Sequence, residues 1–242
     1  MLNESRIDFD GVIFDFDNTL VDTASAINDA YTLVFSKIAE DFSVDKKKLL
    51  EEATNFQAEK MKELATLKKS YNHADWIPDI AFRMSIRLDD KAEEYKKMFY
   101  SYVINNPKFS NETRLLLEDL KGKGKKLALL SERDSVPGMK MERMKKVPFF
   151  SCFDEVVIAG ETIPFKKIDG AESFLATANI MGFKPNRLIM VGDRLDLDIQ
   201  NAKEAGMKAI LFTGYSNSHE FTKYSPDLVA NGMGDLRKLL FE

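Results

Sequence analysis

Two carboxylates one residue apart follow an apolar run in GVIFDFDNTLVDT, residues 11–23: Asp15 and Asp17 come after Val12-Ile13-Phe14, with Asn18 and Thr19 just behind. Side chains two apart in a strand point to the same face. Such a pair repels itself unless a cation sits between the two groups or the backbone turns there. Other polar residues also stand directly after apolar runs: Ser131 after 126–130, Lys166 and Lys167 beyond 155–159, and Asp193 after 188–191, with Asp196 and Asp198 close behind. Brought together, they form a carboxylate cluster with a hydroxyl and an ammonium group. Hard oxygen ligands suit Mg²⁺, and the hydroxyl and lysine suit phosphate oxygens. One carboxylate could then attack phosphorus while a metal neutralises both groups. The other could give the leaving oxygen a proton and later activate water.

Taken singly, each residue has a plainer reading. An aspartate after a strand is usually a cap or turn residue, and a lone lysine is a surface charge. The order of the four elements along the chain is what points to a site.

The elements needed to deliver these groups are legible in the pattern. Short apolar runs at 11–16, 126–130, 155–159, 188–191 and 208–212 predict buried strands. Between them, residues 110–122, 139–146, 171–181 and 198–205 predict helices, with a last one at 235–240. Gly122, Gly182 and Gly206 stand where helices should stop. Strands alternating with helices predict an α/β, doubly wound, parallel Rossmann-like sheet, whose ligands bind at the carboxyl ends of the strands. Residues 24–105 interrupt the alternation with helical periodicity only. Ile27, Tyr31, Val34 and Ile38 mark one helix, and Leu49, Ala53, Phe56, Leu64 and Leu67 a charged second. Ile77, Ile80, Ala81 and Met84 mark a third. Ala92, Tyr95, Phe99 and Val103 mark a fourth, with Asp89 or Asp90 as its expected N-cap. So long an amphipathic stretch is no loop. The expected organisation is core 1–22, an inserted helical cap 23–106 with hinges at its two crossings, and core again from 107 to 242.

The 242 residues carry a net charge of −4, with one cysteine and two histidines. The acidic balance argues against nucleic acid as a partner, since that binding rests on neutralising phosphates. Cys152 alone permits neither an internal disulfide nor a cysteine-rich metal site, and His73 and His219 lie too far apart to suggest a zinc site. The polar, acidic opening residues and the absence of a membrane-length apolar run predict a cytoplasmic protein with no membrane partner. A monomer or a homodimer is expected.

With these motifs in place, the chain resembles the haloacid dehalogenase-like hydrolase superfamily, in its subgroup of phosphatases with a type-I helical cap. DFDNT matches the first motif, LALLS the second, GETIPFKK roughly the third and VGDRLDLDIQNAKEAGM the fourth. The resemblance implies a Mg²⁺-dependent phosphatase acting on a small phosphorylated metabolite through an aspartyl-phosphate. Asp15 would be the nucleophile and a metal ligand. Asp17 would be the general acid/base and would reach the metal through its backbone carbonyl. Lys167 would neutralise the phosphoryl group and hold the nucleophile. Ser131, Thr19, Asn18 and Glu132 would form the phosphate-binding surroundings, with Thr19 orienting Asp17 and its loop. Asp193 would be the second acidic metal ligand, and Asp198 would complete the metal set by holding a metal-bound water. A carboxylate at position 17 is absent from the family's carbon–halogen hydrolases and so points to phosphoryl transfer.

Three departures from the family pattern stand out. The third motif reads Lys166-Lys167-Ile168 instead of lysine-proline, and the spacing to Phe174 and Gly182 favours Lys167. Glu132 replaces an asparagine, so the site expects its backbone N–H, not its side chain, to face phosphate, with the carboxylate turned away or paired, for instance with Arg133. Asn18 replaces a glycine. A phosphomutase like β-phosphoglucomutase, or a non-catalytic binding protein on the same scaffold, uses the same residues and stays open at this point.

In the insert, Tyr71-Asn72-His73-Ala74-Asp75-Trp76 could line a substrate pocket. The favoured expectation is that Trp76 and Tyr71 pack the cap and His73 caps a helix end. Arg83 and Arg87 are expected on one helix face, either meeting a second anionic group or simply solvated.

Overall fold

The computed structural model describes residues 8–65, 72–216 and 223–242. Leu67, Tyr71 and His219 lie outside the described residues, as does the side chain of Leu64. Five strands fall where the apolar runs predict them: β1 (Gly11–Phe14), β2 (Lys126–Glu132), β3 (Glu155–Ala159), β4 (Leu188–Gly192) and β5 (Lys208–Phe212). A sixth, β6 (Leu228–Ala230), is missing from the sequence reading, because three residues, with Val229 exposed, carry too little apolar pattern. The sheet order is β3-β2-β1-β4-β5-β6, with every pairing parallel.

The two-residue period of the strands supplies two cores. Val12 and Phe14, Leu127 and Leu129, Ile189 and Val191, and Ile210 and Phe212 face one side. There they meet Leu116, Leu117 and Leu120 of α5 (Asn111–Gly122), Met144 of α6 (Met139–Lys145), and Met233, Leu236 and Leu240 of α9 (Met233–Phe241). Ile13, Ala128, Leu130, Leu188, Met190, Ala209 and Leu211 face the other side, against Phe174 and Ala178 of α7 (Glu172–Met181) and Ala202 of α8 (Gln200–Glu204). Helices on both faces explain why these strands are apolar throughout instead of alternating. This is the doubly wound α/β fold that the alternation predicts.

The insert folds around its own core. Tyr31, Val34, Phe35 and Ile38 of α1 (Thr23–Asp41) pack with Leu49, Ala53 and Phe56 of α2 (Lys46–Ala65). They are joined by Trp76, Ile77 and Ile80 of α3 (Trp76–Arg83) and by Tyr95, Phe99 and Val103 of α4 (Ala92–Asn105). Contacts divide the chain into two compact units. One runs to Asp22 and includes Lys108–Arg133 and Lys140–Glu242; the other is Thr23–Pro107 with Asp134–Met139. The short segment Asp134–Met139 thus groups with the helices, which the expected boundaries leave out. Within the sheet unit, the backbone N–H of Asp22 donates to the carbonyl of Lys108 at 2.7 Å, tying together the two residues that flank the insert.

Several local expectations are corrected. Ser110 caps α5 by accepting from the Glu112 N–H, but the left-handed residue beyond that helix is Gly124 (φ +73°), two residues after Gly122. Asp89 and Asp90 belong to a 3₁₀ turn (Asp89–Lys91), and Lys91 precedes α4 with no side-chain cap. Asn72, not His73, caps the turn His73–Asp75, its side chain accepting from the Ala74 N–H. The His73 ring instead packs edge-on to Trp76, centroids 4.7 Å apart. Arg83 and Arg87 do not share a helix, since α3 ends at Arg83. The Arg83 guanidinium pairs with Glu52 and Glu59 at 3.2 and 2.8 Å and lies over the Phe56 ring.

Candidate active site

Strand register brings the motif residues to one edge of the sheet unit. Phe14 aligns with Leu129 of β2 and Val191 of β4, so Asp15, Ser131 and Asp193 all emerge at the carboxyl ends of three adjacent strands. The backbone answers the opening question about the two carboxylates: β1 stops at Phe14 and the chain turns. The Asp15 N–H still donates to the Val191 carbonyl at 2.9 Å, but the N–H groups of Leu20 and Val21 fold back onto the Phe16 carbonyl. Asn18 sits in this turn at φ +54°, a left-handed conformation that asparagine tolerates better than most residues. That accounts for asparagine standing where the family commonly has glycine.

Asp15, Asp193 and Asp198 are all buried, and each offers a carboxylate oxygen within 4.8 Å of the others. Lys167 is buried with them, its Nζ 2.7 Å from Asp15 Oδ1 and also paired with Asp198. Lys166 is exposed. The choice between the two lysines therefore falls on Lys167. With every group ionised, three carboxylates against one ammonium leave an excess of two negative charges in a buried place, where charge is costly.

That excess appears in the proton affinities. Burial raises the Asp15 carboxyl to about 6, opposed by the Lys167 ammonium and reinforced by Asp198 and Asp17. Burial, with Asp198 and Asp15 adding to it, raises Asp193 to about 8. Burial alone would pull Lys167 down, but the carboxylates of Asp15 and Asp198 outweigh it and hold the ammonium charged. An all-oxygen donor set with two unbalanced negative charges fits a hard divalent cation.

Second contacts fix these groups. Asp198 accepts the Arg194 N–H at 3.0 Å on Oδ2 while Oδ1 faces Lys167, so both its oxygens are engaged by the chain. It lies in a π-helical turn, Leu195–Ile199, that leans on Gly192; a Cβ there would fall inside van der Waals contact of the Asp198 carboxylate. The Ser216 hydroxyl donates to Asp193 Oδ2 at 2.7 Å. The 3₁₀ turn Lys167–Asp169 is held at both ends of its first residue. Glu132 Oε2 accepts the Lys167 N–H at 2.9 Å, and Asn201 Nδ2 donates to the Lys167 carbonyl at 2.6 Å. The Glu132 side chain is thus turned onto the lysine turn, as one of the two expected arrangements has it, with the Lys167 N–H and not Arg133 as its partner.

Asp17 stands apart from the cluster. Its carboxylate is a quarter exposed and engages two buried cations of α6, Lys140 on Oδ2 and Arg143 on Oδ1, the latter at 2.6 Å. Ser131 is buried at the end of β2. Thr19 is fully buried and its hydroxyl has no hydrogen-bond partner, so it does not hold Asp17 by a hydrogen bond of its own. The motif residues are therefore brought together, but in two groups. Lys140, Arg143, Ser216 and Asn201 escape a sequence reading. The KMERMK run looks like a solvated helix face, and nothing local says that two of its cations meet a carboxylate more than 120 residues away.

A model of the haloacid dehalogenase-like hydrolases matches residues 12–212. A phosphoglycolate phosphatase of Aquifex aeolicus is 32% identical over 163 residues, 63% of this chain and 71% of that one. One of Shigella boydii is 27% identical over 95% of this chain and 91% of its own. Among solved structures, a HAD-hydrolase of Bacillus subtilis bound to magnesium superposes with a TM-score of 0.74 at 14% identity, covering 98% of this chain and 100% of that one. By its motifs, sheet topology and family match, the chain belongs to the haloacid dehalogenase-like hydrolases.

Proposed function

We propose that this chain hydrolyses small phosphomonoesters with Mg²⁺ bound by Asp15, Asp193 and the backbone carbonyl of Asp17, with Asp198 supporting the set. The observation that carries the reading is the separation of the two motif aspartates. Asp15 lies buried against Lys167 in the acidic cluster, and Asp17 lies outside it with partners of its own. Such a division suits two different roles. Asp15 Oδ attacks phosphorus, the ester P–O bond breaks, and Asp17, in its protonated form, gives a proton to the departing alkoxide. Water then loses a proton to Asp17 and attacks phosphorus, the P–O bond to Asp15 breaks, and phosphate leaves. Lys167 balances charge on Asp15 and on the phosphoryl oxygens. The Ser131 hydroxyl, with backbone N–H groups of the Asp17–Thr19 turn, hydrogen-bonds those oxygens. Glu132 is assigned to holding the lysine turn, its carboxylate being engaged by the Lys167 N–H. Mg²⁺, when bound, lowers the repulsion between the attacking carboxylate and the phosphoryl group.

Small phosphorylated carboxylates are the first substrates to try, since the curated relatives include phosphoglycolate phosphatases. The test is phosphate release from p-nitrophenyl phosphate and from phosphoglycolate, with Mg²⁺ and with chelator. Asp15→Asn is expected to lower kcat by at least ~10³-fold. Folded parent protein that releases no free phosphate from any monoester sinks the phosphatase reading, and release that survives in Asp15→Asn removes Asp15 as the nucleophile.

A further inference from the structure

Of the three clustered carboxylates, Asp193 is the one that no cation of the chain pairs with among the described residues. Asp15 has its Oδ1 on Lys167, and Asp198 has Oδ1 on Lys167 and Oδ2 on the Arg194 N–H. Asp193 has instead a neutral donor, the Ser216 hydroxyl, at 2.7 Å from Oδ2. Its Oδ1 has no hydrogen-bond or ion-pair partner among the described residues, although the group is buried in the cluster. A carboxylate held on one oxygen and bare on the other has the arrangement of a one-oxygen metal ligand. The cation takes the bare oxygen, and the hydrogen bond on the other fixes the plane of the group.

The segment that follows β5 keeps Ser216 in place. The Thr213 N–H donates to the Ala230 carbonyl at 2.9 Å, and its hydroxyl donates to Asn231 Oδ1 at 3.0 Å. Gly214 lies against the Phe212 ring, where a Cβ would fall 2.5 Å from Cζ. The Tyr215 ring packs on the same Phe212, centroids 5.6 Å apart, and its hydroxyl accepts the Ser110 N–H at 3.3 Å. Ser216 thus follows directly on residues anchored to β6, to a core aromatic and to the residue that caps α5. A hydroxyl presented from such a base has few positions open to it, which is what orienting a ligand requires.

We propose that Ser216 is a positioning residue of the metal site, turning Asp193 Oδ1 toward Mg²⁺ by holding Oδ2. This rests on the reading of Asp193 as a metal ligand.

Calorimetric titration of Mg²⁺ into metal-free protein tests it without any turnover. The parent, Ser216→Ala, Ser216→Thr and Asp193→Asn are compared, and urea denaturation in chelator shows that each is folded. Ser216→Ala is expected to weaken Mg²⁺ binding by about 10-fold or more, the usual cost of removing a partner that orients a ligand. Ser216→Thr, which keeps the hydroxyl, is expected to recover most of that loss, and Asp193→Asn to lose more than either serine variant. A merely structural role for Ser216 would lower the urea midpoint and leave Mg²⁺ affinity unchanged. That result, or Ser216→Thr binding as weakly as Ser216→Ala, overturns the proposal, while a loss in Asp193→Asn leaves Asp193 standing as a ligand. If the parent takes up no Mg²⁺, or Asp193→Asn binds it as tightly as the parent, the metal reading itself fails and the role of Ser216 falls with it.

Discussion

At the scale of single residues, charge and burial together explain which side chains gather. Asp15, Asp193 and Asp198 tolerate each other because Lys167 lies among them, and the remaining negative charge is what a divalent cation would neutralise. Thr19 is the misfit of the motif. Its hydroxyl is buried and unbonded, a state that costs free energy, so Thr19→Val, which keeps the shape, is expected to raise stability by about 1 kcal/mol. Chemical denaturation checks this, and a loss of stability would show that the hydroxyl is bonded in solution. Much of this scale was readable beforehand: the identity of the clustered residues followed from polar groups standing after apolar runs. The partner of Glu132 did not follow, because a carboxylate accepts from whichever N–H the fold brings up, here that of Lys167.

At the scale of elements, strand ends and the turns after them aim the side chains. Gly192 ends β4 with the Asp198 carboxylate packed where its Cβ would be. Gly192→Ala is therefore expected to push Asp198 from Lys167 and weaken Mg²⁺ binding by about tenfold or more, while most of the fold survives. Titration calorimetry on the folded variant reads this directly, and unchanged affinity would mean that the π-helical turn adapts. Long, strongly periodic elements were legible from spacing alone. Their ends were less so. Helix α5 does end at Gly122, but its left-handed residue is Gly124; that difference and the replacement of His73 by Asn72 as a cap turn on hydrogen bonds that several neighbouring residues could have made.

At the scale of the whole molecule, the chain builds three cores, one on each face of the sheet and one among the inserted helices. The helical unit carries a pH-sensitive group of its own. Desolvation of the His73 imidazole, packed against Trp76 and Tyr31, lowers its proton affinity to about 4. The unfolded chain takes up this proton below about pH 6.5 and the folded one only near 4, so stability present above 6.5 is lost as pH falls through that window. The loss is expected to reach up to about 3 kcal/mol. Urea denaturation at pH 7.5 and 4.5, with His73→Phe for comparison, measures it. An equal drop in both proteins would assign the effect to other groups. Among the described residues no helix is long and apolar enough to cross a membrane.

By itself the sequence determined what depends on local pattern. It specified five of the six described strands, the helical character of the insert, the parallel α/β architecture and the motif aspartates, because hydrophobic period and chain order are properties of neighbouring residues. The resemblance to a known family then attached a chemistry to those positions. Tertiary structure alone decided the pairings across distance. Lys167 was separated from Lys166 by burial, and Asp17 from Asp15 by a turn and by two cations of α6. Ion pairs of this kind join residues more than a hundred positions apart, and no spacing rule reaches that far. They form only once the sheet order has brought β1, β4 and α6 together in the sheet unit.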